Sequence, residues 1–304
     1  NPFMPEQVKQ ENIKRWKAQW EDEFRKRALG ELVTDSVLMY PNFSKDVHNA
    51  IKFDEPRNKV QEYLTKNDGK PGEEWCKYMV VDPGHSTCAV TFLAVPPPNM
   101  GRHVVCYDEL YIHNCTAAKF GDMVAQKVHQ HGGQFEAFII DAHGGRIREI
   151  GSGVLPRVQY SKELERHRVR SNTTGHGFLS GSDDVPGREM KLRSWINLNE
   201  KGTTELLVVT ARCPNLCREF NRFKKKFANG YVTDQGNRRA NCHAIETLEY
   251  AAAHGLKYVR PQKKRVVRGI VGEILKGRAM RSAQKAAKAK GLASNTITLG
   301  PRGE

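Results

Sequence analysis

The stretch MVVDPGHSTCAV at residues 79–90 constrains the fold of this chain more than any other. An apolar run ends on Asp82, a Pro-Gly turn follows, and a second apolar run begins at Cys88. This pattern predicts two adjoining buried strands, at residues 77–82 and 87–95. A buried carboxylate is costly unless it is paired or binds a cation, so the pattern requires a partner for Asp82.

A second aspartate ends another apolar run, Ala137-Phe138-Ile139-Ile140-Asp141. Its continuous apolar character is typical of a buried parallel strand. Between the two runs we predict a third strand at residues 103–111 and a helix at residues 116–131. In an α/β sheet of this order the first and fourth strands can be neighbours, which would place Asp82 and Asp141 at one edge.

Two carboxylates at one sheet edge repel each other strongly, and a divalent cation resolves that repulsion. Oxygen ligands favour Mg²⁺ or Mn²⁺ over softer metals. A predicted helix at residues 242–257 offers His243 and Glu246, which are three residues apart and therefore lie on one face. We predict a two-metal, phosphodiester-cleaving site held by these two residues with Asp82 and Asp141.

Asp108 and Glu109 lie on opposite faces of the third predicted strand, because side chains alternate along a strand. The sequence leaves open whether either of them reaches the site. The simpler interpretation of the two aspartates is that each serves only in a turn. Glu246 would then be a solvated helix residue, and His243 a helix cap or a surface residue.

The seven cysteines are scattered and contain no CxxC pair, which indicates reduced thiols in a cytoplasmic protein. Cys213, Cys217, Cys242 and His243 are an alternative set of zinc ligands, although their spacing is poor for a zinc site. No run of 18 apolar residues occurs and the N-terminus has no apolar signal core, so the sequence predicts neither a membrane span nor a signal peptide. The chain lacks an initiator Met, which suggests a fragment or a processed chain.

The net charge of +15 is unevenly distributed. From Arg260 to Glu304 there are 12 Lys/Arg and 2 Asp/Glu, a net of +10, which leaves +5 for the first 259 residues. A polyanion such as nucleic acid is the natural partner of such a basic tail. The alternative is a solvated surface without a partner.

We divide the chain into a helical connector (1–70), a central α/β domain (71–260) and a basic tail that is mobile or binds a partner (261–304). The connector is expected to hold a helix at residues 5–28, and the turn-rich residues 65–74 mark its end. The later pattern predicts a long polar loop at 161–188, a helix at 189–199, a strand at 205–209, a helix at 213–227 and a hairpin or loop over NGYVTDQGNRRAN.

Basic residues in these later segments are candidates for contacts with DNA phosphates, which position a duplex without reading its sequence. A solvated helix face is an equally good interpretation of the three lysines among them. The candidates are Arg166, Arg168, Arg170, Arg188, Lys224, Lys225, Lys226, Arg238 and Arg239.

The motifs VVDPGHST, CYDELY, FIIDAHG, LLVVTARCPNLCREF and NCHAIETLEYAAAH together resemble the nuclease domain of large terminase subunits, the DNA-packaging motors of tailed bacteriophages. The segment LGELVTDSVLMYPNF resembles the connector that leaves the terminase ATPase domain. The resemblance covers roughly residues 25–260.

This resemblance implies a ribonuclease H-like mixed sheet flanked by helices, with a two-metal carboxylate site that uses Mg²⁺ or Mn²⁺ to cut viral DNA during packaging. Asp82 and Asp141 match the first-strand and fourth-strand acids of the family. Family members usually carry Asp-Asp-x-x-Asp-Ala in the last helix, where this chain reads Cys-His-Ala-Ile-Glu-Thr from residue 242. His243 and Glu246 therefore stand at positions where the family has aspartates.

The resemblance also implies the partners: double-stranded DNA, an upstream ATPase domain, a small terminase subunit and a portal protein, on which the chain could form a homo-oligomer. The resemblance places the activity in the host cell cytoplasm and implies no membrane partner. The phosphate-binding motif GxxxxGK[ST] does not occur in this sequence, so we expect no ATP hydrolysis by this chain alone.

Three other functions are open at this point. An actin-like kinase or ATPase has similar Asp-x-Gly loops but needs two duplicated halves, for which residues 75–257 are too short. A junction resolvase or transposase of the same fold would have the same site and prefer branched DNA. A non-catalytic DNA-binding or assembly module would use the basic tail and residues 218–226 and 238–239 for phosphate contacts without cutting.

Overall fold

The computed structural model describes residues 5–11, 37–132, 134–143, 154–199, 202–228, 231–238 and 242–260. Of the predicted N-terminal helix, residues 6–11 are helical, and residues 12–28 lie outside the described residues, as does the basic tail from residue 261. The described residues up to Arg260 belong to one compact unit.

Six strands form one mixed sheet, and two further strands form a separate hairpin. In chain order they are β1 (Cys76–Asp82), β2 (Thr87–Val95), β3 (Val104–His113), β4 (Phe135–Ile140), β5 (Leu179–Ser180), β6 (Leu206–Val208), β7 (Lys225–Ala228) and β8 (Tyr231–Gly236). The order across the sheet is β5-β4-β1-β2-β3-β6.

Five of the six sheet strands point the same way. β1, β2 and β3 form an antiparallel meander, while β4 runs parallel to β1, β5 to β4, and β6 to β3. The carboxyl ends of every sheet strand except β2 therefore meet at one edge. The expected ribonuclease H-like mixed sheet, with the first and fourth strands adjacent, is confirmed.

Seven helices of the described residues flank the sheet. They are α1 (Lys45–His48), α2 (Lys59–Lys66), α3 (Ala117–His131), α4 (Pro156–Arg166), α5 (Val185–Ile196), α6 (Pro214–Phe220) and α7 (His243–His254). α3 and α4 pack together on one face, and α5 and α6 pack around α7 on the other. α7 itself crosses β1, β2 and β4.

The central strand β1 is buried on both faces, which explains its continuous apolar sequence. Tyr78 and Val80 belong to the core under α7, whereas Met79 and Val81 belong to the core under α3 and α4. Each such valine contributes roughly 1.5–3 kcal/mol by leaving water. Because side chains alternate along a strand, Asp82 faces α7, at the point where that core ends.

The expectation of a long loop at residues 161–188 is wrong at both ends. α4 continues to Arg166, and it places Pro156, Tyr160 and Leu164 on one buried face at four-residue spacing. β5 then pairs with the end of β4, through Ile139 and Leu179. The apolar spacing of α4 was readable in the sequence, but a two-residue strand has too little pattern to predict.

The predicted helix at 213–227 is also wrong in its second half. α6 ends at Phe220, and the chain then enters β7. The Phe223 ring packs so tightly on Gly236 of β8 that a Cβ there would lie 2.2 Å from the ring. Tertiary contact with the hairpin thus overrides the local helical tendency of FKKKF.

The described part of the predicted connector packs into both cores of the central domain. Met39 and Tyr40 belong to the core under α7, and Val60 and Leu64 of α2 to the core under α3 and α4. Residue 70 therefore does not separate two compact units.

Candidate metal centre

β1 and β4 end side by side at the sheet edge. Val81 pairs with Ile140 in parallel register, and the amide of Asp141 donates to the carbonyl of Val81 at 3.1 Å. Asp82 and Asp141 are consequently adjacent, and both are buried. The sequence predicted this adjacency from strand order alone.

Helix α7 brings its first turn over this edge. A buried hydrogen bond of 2.8 Å joins Thr247 of α7 to Thr91 of β2, where the helix crosses the sheet. Four residues earlier, His243 Nδ1 lies 2.8 Å from Asp82 Oδ2. The helix thus supplies a nitrogen ligand directly opposite the first aspartate.

Asp82, His243 and Glu246 form the one group of His, Cys, Asp or Glu side chains in the described residues that could hold a metal ion. One ligand atom of each lies within 4.8 Å of the others. Two ligand atoms that each lie about 2.1 Å from one Mg²⁺ ion are at most about 4.2 Å apart. A small movement of the three side chains towards each other would therefore allow all three to bind one ion. Two carboxylates and one imidazole are a donor set that fits Mn²⁺ well and Mg²⁺ adequately.

Asp141 lies beside this group but is held by other partners. The Tyr250 hydroxyl donates to Asp141 Oδ1 at 2.6 Å, and the His143 amide donates to the same oxygen at 3.2 Å. Burial raises the pKa of Tyr250, so its phenol remains protonated and is the donor.

Burial shifts the protonation of the ligands. The pKa of Asp82 is raised to about 6, chiefly because burial removes solvent; the charges of Glu246 and Asp141 add to this rise, and the His243 hydrogen bond opposes it. The hydrogen bond to Asp82 raises the pKa of His243 in spite of burial. Without a metal the pair therefore holds a proton that metal binding must displace.

Arg238 neutralises the acidic side of the site. Its guanidinium donates to Glu246 Oε1 at 2.7 Å, to Glu249 Oε2 at 2.7 Å and to Glu189 Oε1 at 2.9 Å. Glu249 and Glu189 are buried, and Tyr40 also donates to Glu249 at 2.7 Å. Arg238, a candidate DNA contact in the sequence analysis, is thus the shared counter-ion of three glutamates, and its side chain is 23% exposed.

Two buried glutamates satisfy helix amides near the site. Cys242 makes no side-chain cap for α7, and Glu219 of α6 accepts from the Ile245 amide at 2.9 Å and from the Tyr111 hydroxyl at 2.9 Å. The Glu109 carboxylate of β3 accepts hydrogen bonds from the backbone amides of Asn215 and Leu216 at the start of α6. These contacts satisfy otherwise unpaired helix amides.

The question left open for Asp108 and Glu109 is answered by these contacts. Glu109 faces the α7 side but is engaged at the start of α6. Asp108 lies on the other face, where Lys127 and His131 of α3 bind it. Neither belongs to the three-residue metal group.

The predicted DNA-contact residues separate into distinct places. Arg166 forms surface ion pairs with Asp122 and Glu163, and it precedes the exposed Arg168 and Arg170. This turn lies beside Phe135, where Asn172 donates to the Phe135 carbonyl. Phe135 begins β4, which puts the three arginines at the edge opposite Asp141, about 20 Å away at 3.3 Å per residue.

Arg188 is buried, with its headgroup 3.4 Å from Glu249 and above the Tyr250 ring, so it is not a surface residue. Lys224 and Lys226 are exposed at the start of the β7–β8 hairpin, and Lys225 lies 3.7 Å from Asp234. They lie close in the hairpin to Arg238, since Lys225 pairs with Gly236. Arg239 lies outside the described residues.

The alternative zinc set is not assembled among the described residues. Cys213, Cys217 and Cys242 are buried free thiols and do not converge on His243 within ligand distance of one another. All seven cysteines are unbridged, as the sequence indicated. None of the described helices combines the length and the apolar character that a bilayer span requires.

No protein-family model and no curated protein matches this sequence. Solved structures of similar fold include three nuclease domains of large terminases. The large terminase nuclease domain of bacteriophage SPP1 with bound Mn is 16% identical at a TM-score of 0.39, over 60% of this chain and 87% of that one. The P22 large terminase nuclease domain is 13% identical at a TM-score of 0.45, over 73% and 94%.

A mutant nuclease domain of the large terminase subunit of bacterial virus Sf6, with manganese, is 12% identical at a TM-score of 0.34, over 68% of this chain and 96% of that one. The chain is thus similar, at 12–16% identity, to nuclease domains of large terminases, which are the proteins that its motifs resemble.

Proposed function

We propose that this chain is a divalent-metal-dependent endonuclease that cuts double-stranded viral DNA during genome packaging, as the nuclease part of a large terminase. The observation that carries this proposal is the meeting of Asp82, His243 and Glu246 within 4.8 Å, beside Asp141 at the end of the adjacent strand. The motif resemblance supplies the biological setting.

The site residues have separate roles. Asp82 and Glu246 offer carboxylate oxygens and His243 an imidazole nitrogen. A bound divalent ion would supply Lewis-acid activation of water and stabilise charge on the phosphodiester. Asp82 and His243 must release their shared proton to accept it, and Arg238 holds Glu246 in place. In the two-metal form that we propose, Asp141 adds the ligand for a second ion beside Asp82.

The DNA would approach the edge at which the parallel strands end. We propose that Lys224, Lys225 and Lys226 contact its phosphates there. The hairpin that holds these lysines leads directly to Arg238, which contacts Glu246 of the candidate site. Such contacts give little sequence specificity. The remaining partners proposed are an upstream ATPase domain, a small terminase subunit and a portal on which copies of the chain assemble, all in the host cell cytoplasm.

The test is cleavage of supercoiled plasmid in Mn²⁺, Mg²⁺ or EDTA. We expect metal-dependent nicking and linearisation that Asp82→Asn and Asp141→Ala abolish. Glu205→Gln, at the opposite edge, is the matched acidic control and should cut normally. Cleavage that persists in EDTA, or in both aspartate variants, would rule out the proposed site.

A non-catalytic DNA-binding or assembly module is the second candidate. Two observations favour it: Arg238 already binds one oxygen of Glu246, and a histidine stands where the resemblance leads one to expect an aspartate. Retained plasmid binding without cleavage in any metal would select this alternative. A ribonuclease H-like resolvase or transposase would instead cleave a four-way junction in preference to linear duplex.

A further inference from the structure

Helix α7 carries a third polar side chain on the face that holds the candidate ligands. Tyr250 follows Glu246 by four residues and His243 by seven, which places all three on one side of the helix. His243 contacts Asp82 of β1, and Tyr250 contacts Asp141 after β4, with its hydroxyl 2.6 Å from Asp141 Oδ1. One face of α7 thus contacts both of the aspartates at the strand ends.

Close packing fixes the position of the Tyr250 ring. Gly181 follows β5, and its amide donates to the carbonyl of Ile140 at 2.7 Å, directly before Asp141. A Cβ at Gly181 would lie 2.6 Å from Tyr250 Cδ1 and 3.0 Å from Cγ, so the ring requires glycine at this position. The Arg188 guanidinium lies 4.3 Å from the ring centroid. The direction of the hydroxyl is therefore fixed by packing.

We propose that Tyr250 is a positioning residue of the metal centre, which orients the Asp141 carboxylate towards Asp82. This inference rests on the proposed function, because it concerns the same site. The phenol donates to one carboxylate oxygen, and together with the His143 amide it fixes the plane of the carboxyl group. Hydrogen bonds to a metal-binding carboxylate set its orientation and so its affinity for the ion.

The measurement is Mn²⁺ binding by isothermal titration calorimetry at fixed pH, which requires no cleavage. Tyr250→Phe removes only the hydroxyl and is expected to weaken Mn²⁺ binding about 10-fold or more, the range typical for partners of metal ligands. Tyr78→Phe is the matched control. Tyr78 is also buried, and its hydroxyl donates at 2.6 Å to the Lys257 carbonyl, far from the site. The Mn²⁺ affinity of Tyr78→Phe should equal that of the wild type.

Gly181→Ala supplies a second variant, which displaces the Tyr250 ring but retains its hydroxyl group; it should weaken Mn²⁺ binding in the same direction. In an Asp141→Ala background, which lacks the carboxyl group, Tyr250→Phe should have no further effect, because its hydrogen-bond acceptor is absent. Thermal unfolding without metal establishes that each variant is folded.

The outcomes are distinct. Mn²⁺ binding that is unchanged or tighter in Tyr250→Phe, while Asp141→Asn weakens it, would overturn the assignment of Tyr250 and leave the proposed function intact. No Mn²⁺ binding by the wild-type chain would overturn the proposed function and the role of Tyr250 with it. A loss in Tyr250→Phe that persists undiminished in the Asp141→Ala background would show that Tyr250 does not act through Asp141.

Discussion

His243 Nδ1 lies 2.8 Å from Asp82 Oδ2, although 161 residues separate the two in the chain. This contact joins the first turn of α7 to the end of the central strand. It also combines a nitrogen ligand with an oxygen ligand at the position where the motif resemblance leads one to expect carboxylates alone. In the proposed metal centre, the choice of metal and the proton balance would depend on this pair.

The first prediction concerns metal preference. His243→Asp would convert the group of Asp82, His243 and Glu246 to oxygen ligands only, and carboxylates suit Mg²⁺ better than imidazole does. We expect the ratio of Mg²⁺ to Mn²⁺ affinity to rise in this variant and both affinities to fall in His243→Ala. Calorimetric titration of each ion measures this, and an unchanged ratio in His243→Asp would show that His243 is not a ligand.

The second prediction concerns the internal counter-ion. Arg238→Met would leave Glu189, Glu246 and Glu249 without their shared cation, and removing one partner of a buried ion pair costs about 3–5 kcal/mol. Urea denaturation of the metal-free protein measures the free energy of unfolding. The free energy of unfolding of Arg238→Lys should lie between those of the wild type and Arg238→Met, because an ammonium group keeps the charge but cannot reproduce the planar contacts of the guanidinium.

The control for this variant is Arg102→Met. Arg102 pairs with Glu205 at 3.0 Å, but its side chain is 88% exposed, so its loss should change the free energy of unfolding by less than about 1 kcal/mol. Equal costs for Arg102→Met and Arg238→Met would contradict the role of Arg238 as a buried counter-ion.

The third prediction concerns pH. Burial raises the pKa of Glu219 from 4.5 to about 7 in the folded state. Between these values the folded chain retains a proton that the unfolded chain has released, so stability falls as pH rises from about 4.5 to 7. The contribution of this one group is about 3 kcal/mol over the window, at about 1.4 kcal/mol per pKa unit.

Glu219→Gln removes this titration and keeps an acceptor for the Ile245 amide. In EDTA, the decline in unfolding free energy between pH 4.5 and 7 should therefore be about 3 kcal/mol smaller in the variant. Asp82, whose pKa is also raised by burial, contributes to the decline in both proteins and cancels in the comparison. Identical declines would count against a protonated, buried Glu219.

The fourth prediction separates two surfaces proposed for DNA. Lys224 and Lys226 are exposed and lie two residues apart at the start of the hairpin. Replacing both with alanine should reduce the slope of log binding constant against log salt by about 1.8, at about 0.9 per phosphate contact. The paired replacement of Arg168 and Arg170, at the opposite edge, removes the same charge and should leave the slope unchanged. The reverse result would move the DNA path to the α4 side.

The sequence predicted the strand-end aspartates well because the relevant information is local. A fully apolar run that stops on an acid, as at Val81-Asp82 and Ile140-Asp141, identifies a buried strand and its end without reference to the rest of the chain. The i, i+3 spacing of His243 and Glu246 is equally local, and it placed both on one helix face.

The surroundings of the site depended on contacts that are distant in sequence. Nothing in the pattern around Arg238 or Arg188 distinguishes a buried counter-ion from a DNA contact, since both are arginines in polar segments. Only the packing of the hairpin and of α5 against α7 brings these arginines to Glu249. The same holds for Glu219, whose role depends on where α6 meets the start of α7.

By itself, the sequence thus determined the sheet core and the acids at its edge, because apolar periodicity and burial are encoded within short windows. Tertiary structure alone decided which charges are paired, which face solvent and how Tyr250 meets Asp141. The physical reason is that electrostatic partners are chosen by distance in space and by desolvation, and neither quantity is a property of a single segment.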